Sequence, residues 1–191
     1  MLFRSVLYTG RLAPVKGIEI LLETAKRLHQ DEPTTTFVLA GPWQMPGPPE
    51  MYGLELNRKS KDGVLWIGPR SPNELVDWYK RAMLFVMPSY YESFGISVVE
   101  AMAFGLPVVC TRAGGIPEIV DDEVTGLMVE PGNSSRLAQA ISQLLRDSQR
   151  RASMGRAGQE KVLREFDPLK VAHQNLELYQ HAHTSFSHLS N

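Results

Sequence analysis

The 191-residue sequence contains one cysteine, no long apolar run and almost no net charge, and each of these shortages excludes a class of protein. A lone cysteine, Cys110, cannot form a disulfide within the chain, and its position at the end of an apolar segment predicts a buried thiol. No stretch approaches the roughly 18 apolar residues that indicate a membrane span. A net charge of −1 argues against a nucleic acid partner. The first residues lack the organisation of a signal peptide, so we expect a cytoplasmic protein.

Short apolar runs alternate along the chain with longer helical patterns. Most of the runs are continuously apolar, which is typical of parallel strands buried on both faces. Strands that alternate with helices predict an α/β protein with a Rossmann-like, doubly wound parallel sheet. The predicted strands are residues 5–8, 36–40, 64–67, 84–87, 108–111 and 126–129.

The helical patterns carry recognisable start signals. Residues 17–30 are amphipathic, and Ser71 opens a capping box with proline at the first helical position. Further helices are predicted to open at Asn133 and near residues 169–181. The arginine-rich run 146–156 is interpreted as a solvated helix face, with a membrane-surface patch as the alternative.

Ligands of open parallel sheets bind at the carboxyl ends of the strands. After the first predicted strand come Gly10, Arg11 and Lys16, just before a helix. The glycine permits a sharp turn, while the guanidinium and ammonium groups suit phosphate oxygens. The Walker pattern and the Gly-x-Gly-x-x-Gly fingerprint are both absent. Two surface cations beside a turn are the alternative interpretation.

Glu92 and Glu100 follow the fourth predicted strand, with seven residues between them. Along a helix their separation would be roughly 12 Å, whereas paired glycosidase carboxylates stand about 5–9.5 Å apart. We therefore interpret them as groups that hold two ends of one extended ligand. The loop-to-helix junction between them offers free backbone amides and a positive dipole end, which suit an anion.

Five ordered motifs, which extend with their flanks from Val6 to about Tyr179, together resemble a known family. They are Gly10-Arg11-Leu12 with Lys16-Gly17, Pro88-Ser89 with Glu92-Ser93-Phe94-Gly95, Glu100-Ala101-Met102-Ala103, Gly105-Leu106-Pro107-Val108-Val109, and Gly114-Gly115 with Gly126. The chain resembles the carboxy-terminal half of retaining glycosyltransferases of family four, which have the two-domain GT-B fold. The resemblance implies binding of a UDP-, GDP- or ADP-linked sugar.

The resemblance also implies a role for each matching residue. Arg11 and Lys16 match the pair that grips the donor diphosphate, and Glu92 matches the glutamate that contacts sugar hydroxyls. Glu100 matches the glutamate that holds the ribose. Backbone amides of Phe94, Gly95 and Ile96 match the turn that meets sugar and phosphate, and Gly10 is also expected at the donor. Ile67 and Gly68 lie where the family's nucleobase is lined by backbone.

The predicted division is a nucleotide-sugar-binding domain at 1–166 and a helix with tail at 167–191 that would cross back to an amino-terminal acceptor domain. We expect that acceptor domain to be missing from this chain, and the chain alone to lack full transferase activity. Because no Asp-x-Asp motif is present, no metal and no cofactor are expected. The alternatives are a non-catalytic nucleotide-binding or interaction module, or another GT-B enzyme such as an epimerase.

Overall fold

Six parallel strands form one sheet in the order β3-β2-β1-β4-β5-β6. The computed structural model describes residues 4–44 and 63–167, together with Leu169, Lys170, Ala172, Leu176 and Tyr179. All four residues of β4, and all four of β5, are buried. Successive strand residues point to opposite faces, so both faces of the sheet are covered. The strands are β1 Arg4–Thr9, β2 Thr35–Ala40, β3 Val64–Gly68, β4 Leu84–Met87, β5 Val108–Thr111 and β6 Gly126–Val129. The predicted α/β, Rossmann-like fold is confirmed.

In the described part of the chain, helices lie between most pairs of successive strands and cover the sheet. Among them, α1 packs against α5, and α3 packs against α6. The bounds in the described part of the chain are α1 Ile18–Asp31, α2 Pro72–Arg81, α3 Ile96–Ala103, α4 Ile116–Ile119, α5 Ser134–Arg146 and α6 Ser148–Glu165, with a 3₁₀ turn at Pro14–Lys16. The short α4 and the 3₁₀ turn carry too few residues to show a periodic apolar pattern, and sequence reasoning missed both.

The predicted start signals act as helix caps. The Glu74 carboxylate accepts from the Ser71 amide at 2.8 Å, as in a capping box, and the Asn133 side chain accepts from the amide of Arg136 at 2.9 Å. The arginine-rich run is divided at Asp147, whose carboxylate accepts from the amide of Arg150 at 2.8 Å and so begins α6. Three of its four arginines, Arg146, Arg150 and Arg151, are engaged within the chain. Arg151, for example, donates to the carbonyl oxygen of Leu145 at 2.9 Å.

The last predicted helix, 169–181, lies mostly outside the described residues. The residues of it that the structure describes are all helical and exposed: Leu169, Lys170, Ala172, Leu176 and Tyr179. The division into 1–166 and 167–191 stays a prediction.

The strand order decides where a ligand can enter. The chain runs outward from β1 to β3 on one side, then returns to place β4 on the other side of β1. The loops that follow β1 and β4 therefore leave the sheet in opposite directions and open a crevice between them. In doubly wound sheets this switch point is where ligands bind.

At the amino-terminal ends of the strands, opposite the crevice, an ion-pair network joins the start of β1 to α5. The Glu32 side chain, 9% exposed, accepts from Arg4 at 2.9 Å and from Arg146 at 2.7 Å. The hydrogen bond from Arg146, together with Arg4, holds the pKa of Glu32 below its usual value. The ionised carboxylate therefore stabilises the folded chain.

Replacing Glu32 by glutamine is expected to flatten the acid dependence of stability. A carboxylate whose pKa is depressed on folding stabilises above its unfolded value of about 4.3, and that contribution is lost as the pH falls through the folded value. Urea unfolding of Glu32→Gln should show lower stability than wild type at pH 7 and convergence at an acidic pH below the folded pKa of Glu32. Glu160→Gln, an exposed change on α6, is the control. Equal separation of the Glu32→Gln and wild-type curves at both pH values would contradict this role.

Candidate functional site

A cavity of about 450 Å³ lies at the switch point, between the loops that follow β1 and β4. Its volume is within the range of small-molecule sites, about 300–1,000 Å³. The predicted site residues meet here, except for Ile67 and Gly68. The lining consists of Tyr8, Thr9, Gly10, Arg11, Lys16, Leu75, Met87, Glu92, Ser93, Phe94, Gly95, Ile96, Ser97 and Glu100.

Lys16 is placed by a tight contact between the two loops. It ends the 3₁₀ turn, and Gly17 follows with a φ of 67°. A Cβ on Gly17 would stand 2.0 Å from the carbonyl oxygen of Pro88, so only glycine allows this approach. The amide of Tyr90 also donates to the carbonyl oxygen of Val15 at 2.9 Å. The β1 loop is thereby attached to the β4 loop, and Lys16 is carried to the cavity wall.

Lys16 and Glu92 form an ion pair inside the cavity. The ammonium donates to Glu92 Oε2 at 2.7 Å, and the two side chains are 15% and 13% exposed. They are 76 positions apart in the sequence, so the fold alone brings them together. A phosphate that approaches Lys16 must compete with this carboxylate.

Glu92 lies in the loop before α3, and two consecutive glycines, Gly114 and Gly115, pack against that loop. The amide of Gly115 donates to the carbonyl oxygen of Glu92 at 2.9 Å. Gly114 has a φ of +53°, and a Cβ there would lie 1.9 Å from the same oxygen. The helical estimate of the separation between Glu92 and Glu100 does not apply, because α3 begins only at Ile96.

Glu100 lies within α3, exposed on the cavity side. One of its oxygens, Oε2, accepts a hydrogen bond from the hydroxyl of buried Tyr79 at 2.9 Å. At the start of α3, Gly95 adopts the left-handed region with a φ of 98°. The first amides of a helix have no acceptor within it, so this end of α3 can bind an anion.

Arg11 lies at the mouth of the cavity. Its side chain is exposed and donates to Gln44 Oε1 at a long 3.3 Å, while its carbonyl oxygen accepts from the Tyr8 hydroxyl at 2.7 Å. In contrast to Lys16, it has no carboxylate partner in the described part of the chain. The backbone is held while the guanidinium stays available to a ligand.

Ile67 and Gly68 do not reach the cavity lining. They end β3, two strands away from the switch point, and the Gly68 carbonyl already accepts from the Gly41 amide at 3.0 Å. Their role toward a nucleobase stays a prediction. Sequence reasoning in turn missed Thr9, Tyr79 and the two serines of the lining. For Tyr79 the available signal was an aromatic residue in the helix that precedes β4, one of the two strands whose loops form the cavity.

The described part of the chain contains neither a metal-binding cluster nor a helix suited to span a membrane. Within residues 4–44 and 63–167 and the five described positions beyond them, no three His, Cys, Asp or Glu side chains converge as a metal site. Over the same residues, no helix combines the length and the apolarity that a membrane span requires.

The fold and the cavity define a Rossmann-like ligand-binding domain with cations and carboxylates gathered at its switch point. The sequence model of the family described as glycosyl transferases group 1 matches residues 3–161. The chain belongs to this family, as the motifs predicted.

Individual relatives agree with this membership. The chain is similar to a D-inositol 3-phosphate glycosyltransferase of Corynebacterium efficiens, with 34% identity over 184 residues that cover 94% of this chain and 43% of that protein. Among solved structures, it resembles Anabaena HepE in complex with UDP-glucose, with a TM-score of 0.81, 29% identity, and coverage of 93% of this chain and 48% of that one.

A third comparison matches a single domain. The C-terminal domain of the glycosyl transferase group 1 family protein LpcC from Francisella tularensis has a TM-score of 0.77 and 27% identity, with coverage of 86% of each chain. The fold is thus that of the carboxy-terminal half of a GT-B protein, as predicted. This chain spans less than half the length of the Corynebacterium relative and of HepE.

Proposed function

We propose that this chain is the donor-binding domain of a retaining glycosyltransferase and binds a nucleotide-diphosphate sugar at the switch-point cavity. The observation that carries the proposal is the convergence of Arg11, Lys16, Glu92 and Glu100 with the amino terminus of α3 around one cavity. The complex of HepE with UDP-glucose supports this class of ligand. The retaining stereochemistry and the cytoplasmic location rest on the resemblance and on the sequence alone.

The positive groups fit the chemistry of the leaving diphosphate. Transfer of the sugar increases negative charge on this group, and preorganised cations and helix termini stabilise such charge in the transition state. Lys16, the exposed Arg11 and the first residues of α3 all line the same cavity. We propose that these groups act without a metal or a cofactor.

The two carboxylates are assigned to the two parts of the donor on either side of the diphosphate. An ionised carboxylate accepts hydrogen bonds from hydroxyl groups. Glu92, beside Lys16, is assigned the sugar hydroxyls next to the diphosphate. Glu100, farther along α3, is assigned the ribose hydroxyls. The diphosphate would then lie between them, over the start of α3.

Transfer requires an acceptor, which we assign to a separate amino-terminal domain. The Corynebacterium relative and HepE are about twice as long as this chain. The chain alone should therefore bind the donor without efficient transfer.

Binding of a nucleoside diphosphate is expected to stabilise the chain. A ligand at 100 times its Kd adds about 2.7 kcal/mol to the free energy of unfolding, which raises Tm by roughly 5–10 °C for a chain of this size. A thermal-shift panel with UDP, GDP, ADP and their sugars identifies the donor. Glu100→Ala should weaken binding of the best nucleotide about 10- to 100-fold, because it removes hydrogen bonds to a charged group.

The matched control is Glu160→Ala, which changes an exposed glutamate on α6 far from the cavity in sequence. It should bind the nucleotide as wild type does. If no nucleotide shifts the melting of the wild-type chain, or if Glu100→Ala binds as tightly as the control, the proposed donor site is wrong.

A further inference from the structure

A buried pair of hydroxyl groups joins β1 and α2 to the cavity wall. Thr9 Oγ1 lies 2.7 Å from the Tyr79 hydroxyl, which in turn lies 2.9 Å from Glu100 Oε2. Thr9 is 4% exposed and Tyr79 is 2% exposed, whereas Glu100 is open to the cavity. One oxygen of an exposed carboxylate is therefore anchored to the interior of the protein.

The direction of the hydrogen bonds follows from the number of protons. An ionised carboxylate can only accept, so Tyr79 donates its single proton to Glu100. The Thr9 hydroxyl must then donate to the phenolic oxygen. Burial raises the pKa of Tyr79 above its usual value, which keeps the phenol protonated. The hydroxyl protons of Thr9 and Tyr79 therefore both point along this pair of hydrogen bonds toward Glu100.

The ring that carries the donor is itself held in place. Tyr79 stacks on Phe104 with ring centroids 5.2 Å apart and an angle of 4° between the planes, and it also contacts Phe85 at 6.2 Å. Phe104 directly follows α3, the helix that carries Glu100. The donor and the acceptor are thus fixed to the same packed unit. This contrasts with an unanchored glutamate, which samples several rotamers and loses that freedom when it binds.

We propose that Tyr79 is a positioning residue that orients Glu100 for the two ribose hydroxyls of a nucleoside diphosphate. Its bond to Oε2 leaves the other carboxylate oxygen to face the ligand with its rotamer already selected. Much of the conformational entropy of the Glu100 side chain is then lost on folding, before the ribose binds. Preorganisation of this kind increases affinity. The inference rests on the function proposed above.

The test is calorimetric titration of the chain with the nucleoside diphosphate that binds best and with its 2′-deoxy form. Tyr79→Phe keeps the stacked ring and removes only the hydroxyl. It should weaken binding of the ribonucleotide about five- to tenfold, as expected for one lost hydrogen bond. Binding of the deoxynucleotide, which makes less use of Glu100, should change less than about twofold. The preference for ribose should therefore fall.

Two further variants separate positioning from general support. Tyr90→Phe removes an exposed hydroxyl outside the cavity lining and should leave the preference for ribose unchanged. Thr9→Val removes the hydroxyl group that donates to Tyr79 and should lower the preference for ribose about two- to threefold. Thr9→Val also tests the proposal if Tyr79→Phe does not fold.

Equal losses for both nucleotides in Tyr79→Phe, or an unchanged preference in the variants that fold, would overturn the positioning role while the donor site stands. A wild-type chain that binds nucleotide with no preference for ribose would overturn the placement of ribose at Glu100 and this inference with it. Absence of any nucleotide binding by wild type would remove the proposed function itself.

Discussion

Lys16→Met is expected to lower the affinity for a nucleoside diphosphate about 10- to 100-fold, while Glu92→Gln leaves it unchanged or raises it. Lys16 offers the phosphates a charge-assisted hydrogen bond, and removal of such a bond costs about 1.5–3 kcal/mol. Glu92 holds the same ammonium at 2.7 Å, so an incoming phosphate has to displace it. Neutralising Glu92 removes that competition. Calorimetric titration with a nucleoside diphosphate that carries no sugar measures both effects.

The opposite signs make this pair of variants informative. If the ion pair only supported the loops, either substitution would loosen the cavity and weaken binding in the same direction. With a nucleotide sugar, Glu92→Gln should instead lose affinity, because the glutamate is assigned the sugar hydroxyls. Lys26→Met, an exposed change on α1, is the control for loss of one positive charge. Equal weakening of sugar-free nucleotide by Lys16→Met and Glu92→Gln would argue against the phosphate role.

Gly114→Ala is expected to destabilise the chain by about 2–5 kcal/mol. A residue with a side chain costs about 1–2 kcal/mol in the left-handed region, where Gly114 has a φ of +53°. The new methyl group would also stand 1.9 Å from the carbonyl oxygen of Glu92, and overpacking of this kind adds about 1–3 kcal/mol. Tm should fall by roughly 5–15 °C. Thermal and urea unfolding provide the measurement.

Gly105→Ala separates the two contributions. Gly105 has a similar φ of +72°, but the nearest atom to a new Cβ is the side-chain oxygen of Gln159 at 4.0 Å. This variant should lose only the conformational part, about 1–2 kcal/mol. Because Gly114 supports the Glu92 loop, Gly114→Ala should also reduce donor binding, whereas Gly105→Ala should not. Equal destabilisation by the two substitutions would show that the contact with Glu92 is unimportant.

The secondary structure could be predicted from local patterns because the signals are short in range. The apolar run 84–87 became β4 with the predicted bounds, and the capping residues at Ser71 and Asn133 begin the helices expected of them. A strand buried on both faces, or a cap that accepts from an amide three residues later, depends only on neighbouring residues. The helix α4 has only four residues, which are too few to show a periodic apolar pattern, so it could not be predicted in this way.

The sequence by itself determined the classes of residue in the site, and the tertiary structure decided their partners. Arg11, Lys16, Glu92 and Glu100 could be found because their motifs are local and their chemistry suits phosphates and hydroxyls. Ile67 and Gly68 were expected to line a nucleobase; the sheet order places them two strands from the switch point, and that role stays a prediction.

The pairing of Lys16 with Glu92, the support of the Glu92 loop by Gly114, and the anchoring of Glu100 by Tyr79 appear only in the folded chain. The residues of each pair are at least 21 positions apart, and no local pattern links them. Lys16 meets Glu92 because β1 and β4 are neighbours in the sheet, and Gly114 meets Glu92 because β4 and β5 are neighbours. The sequence therefore determines which groups are available to the proposed donor site, and the order of the strands determines how they are oriented.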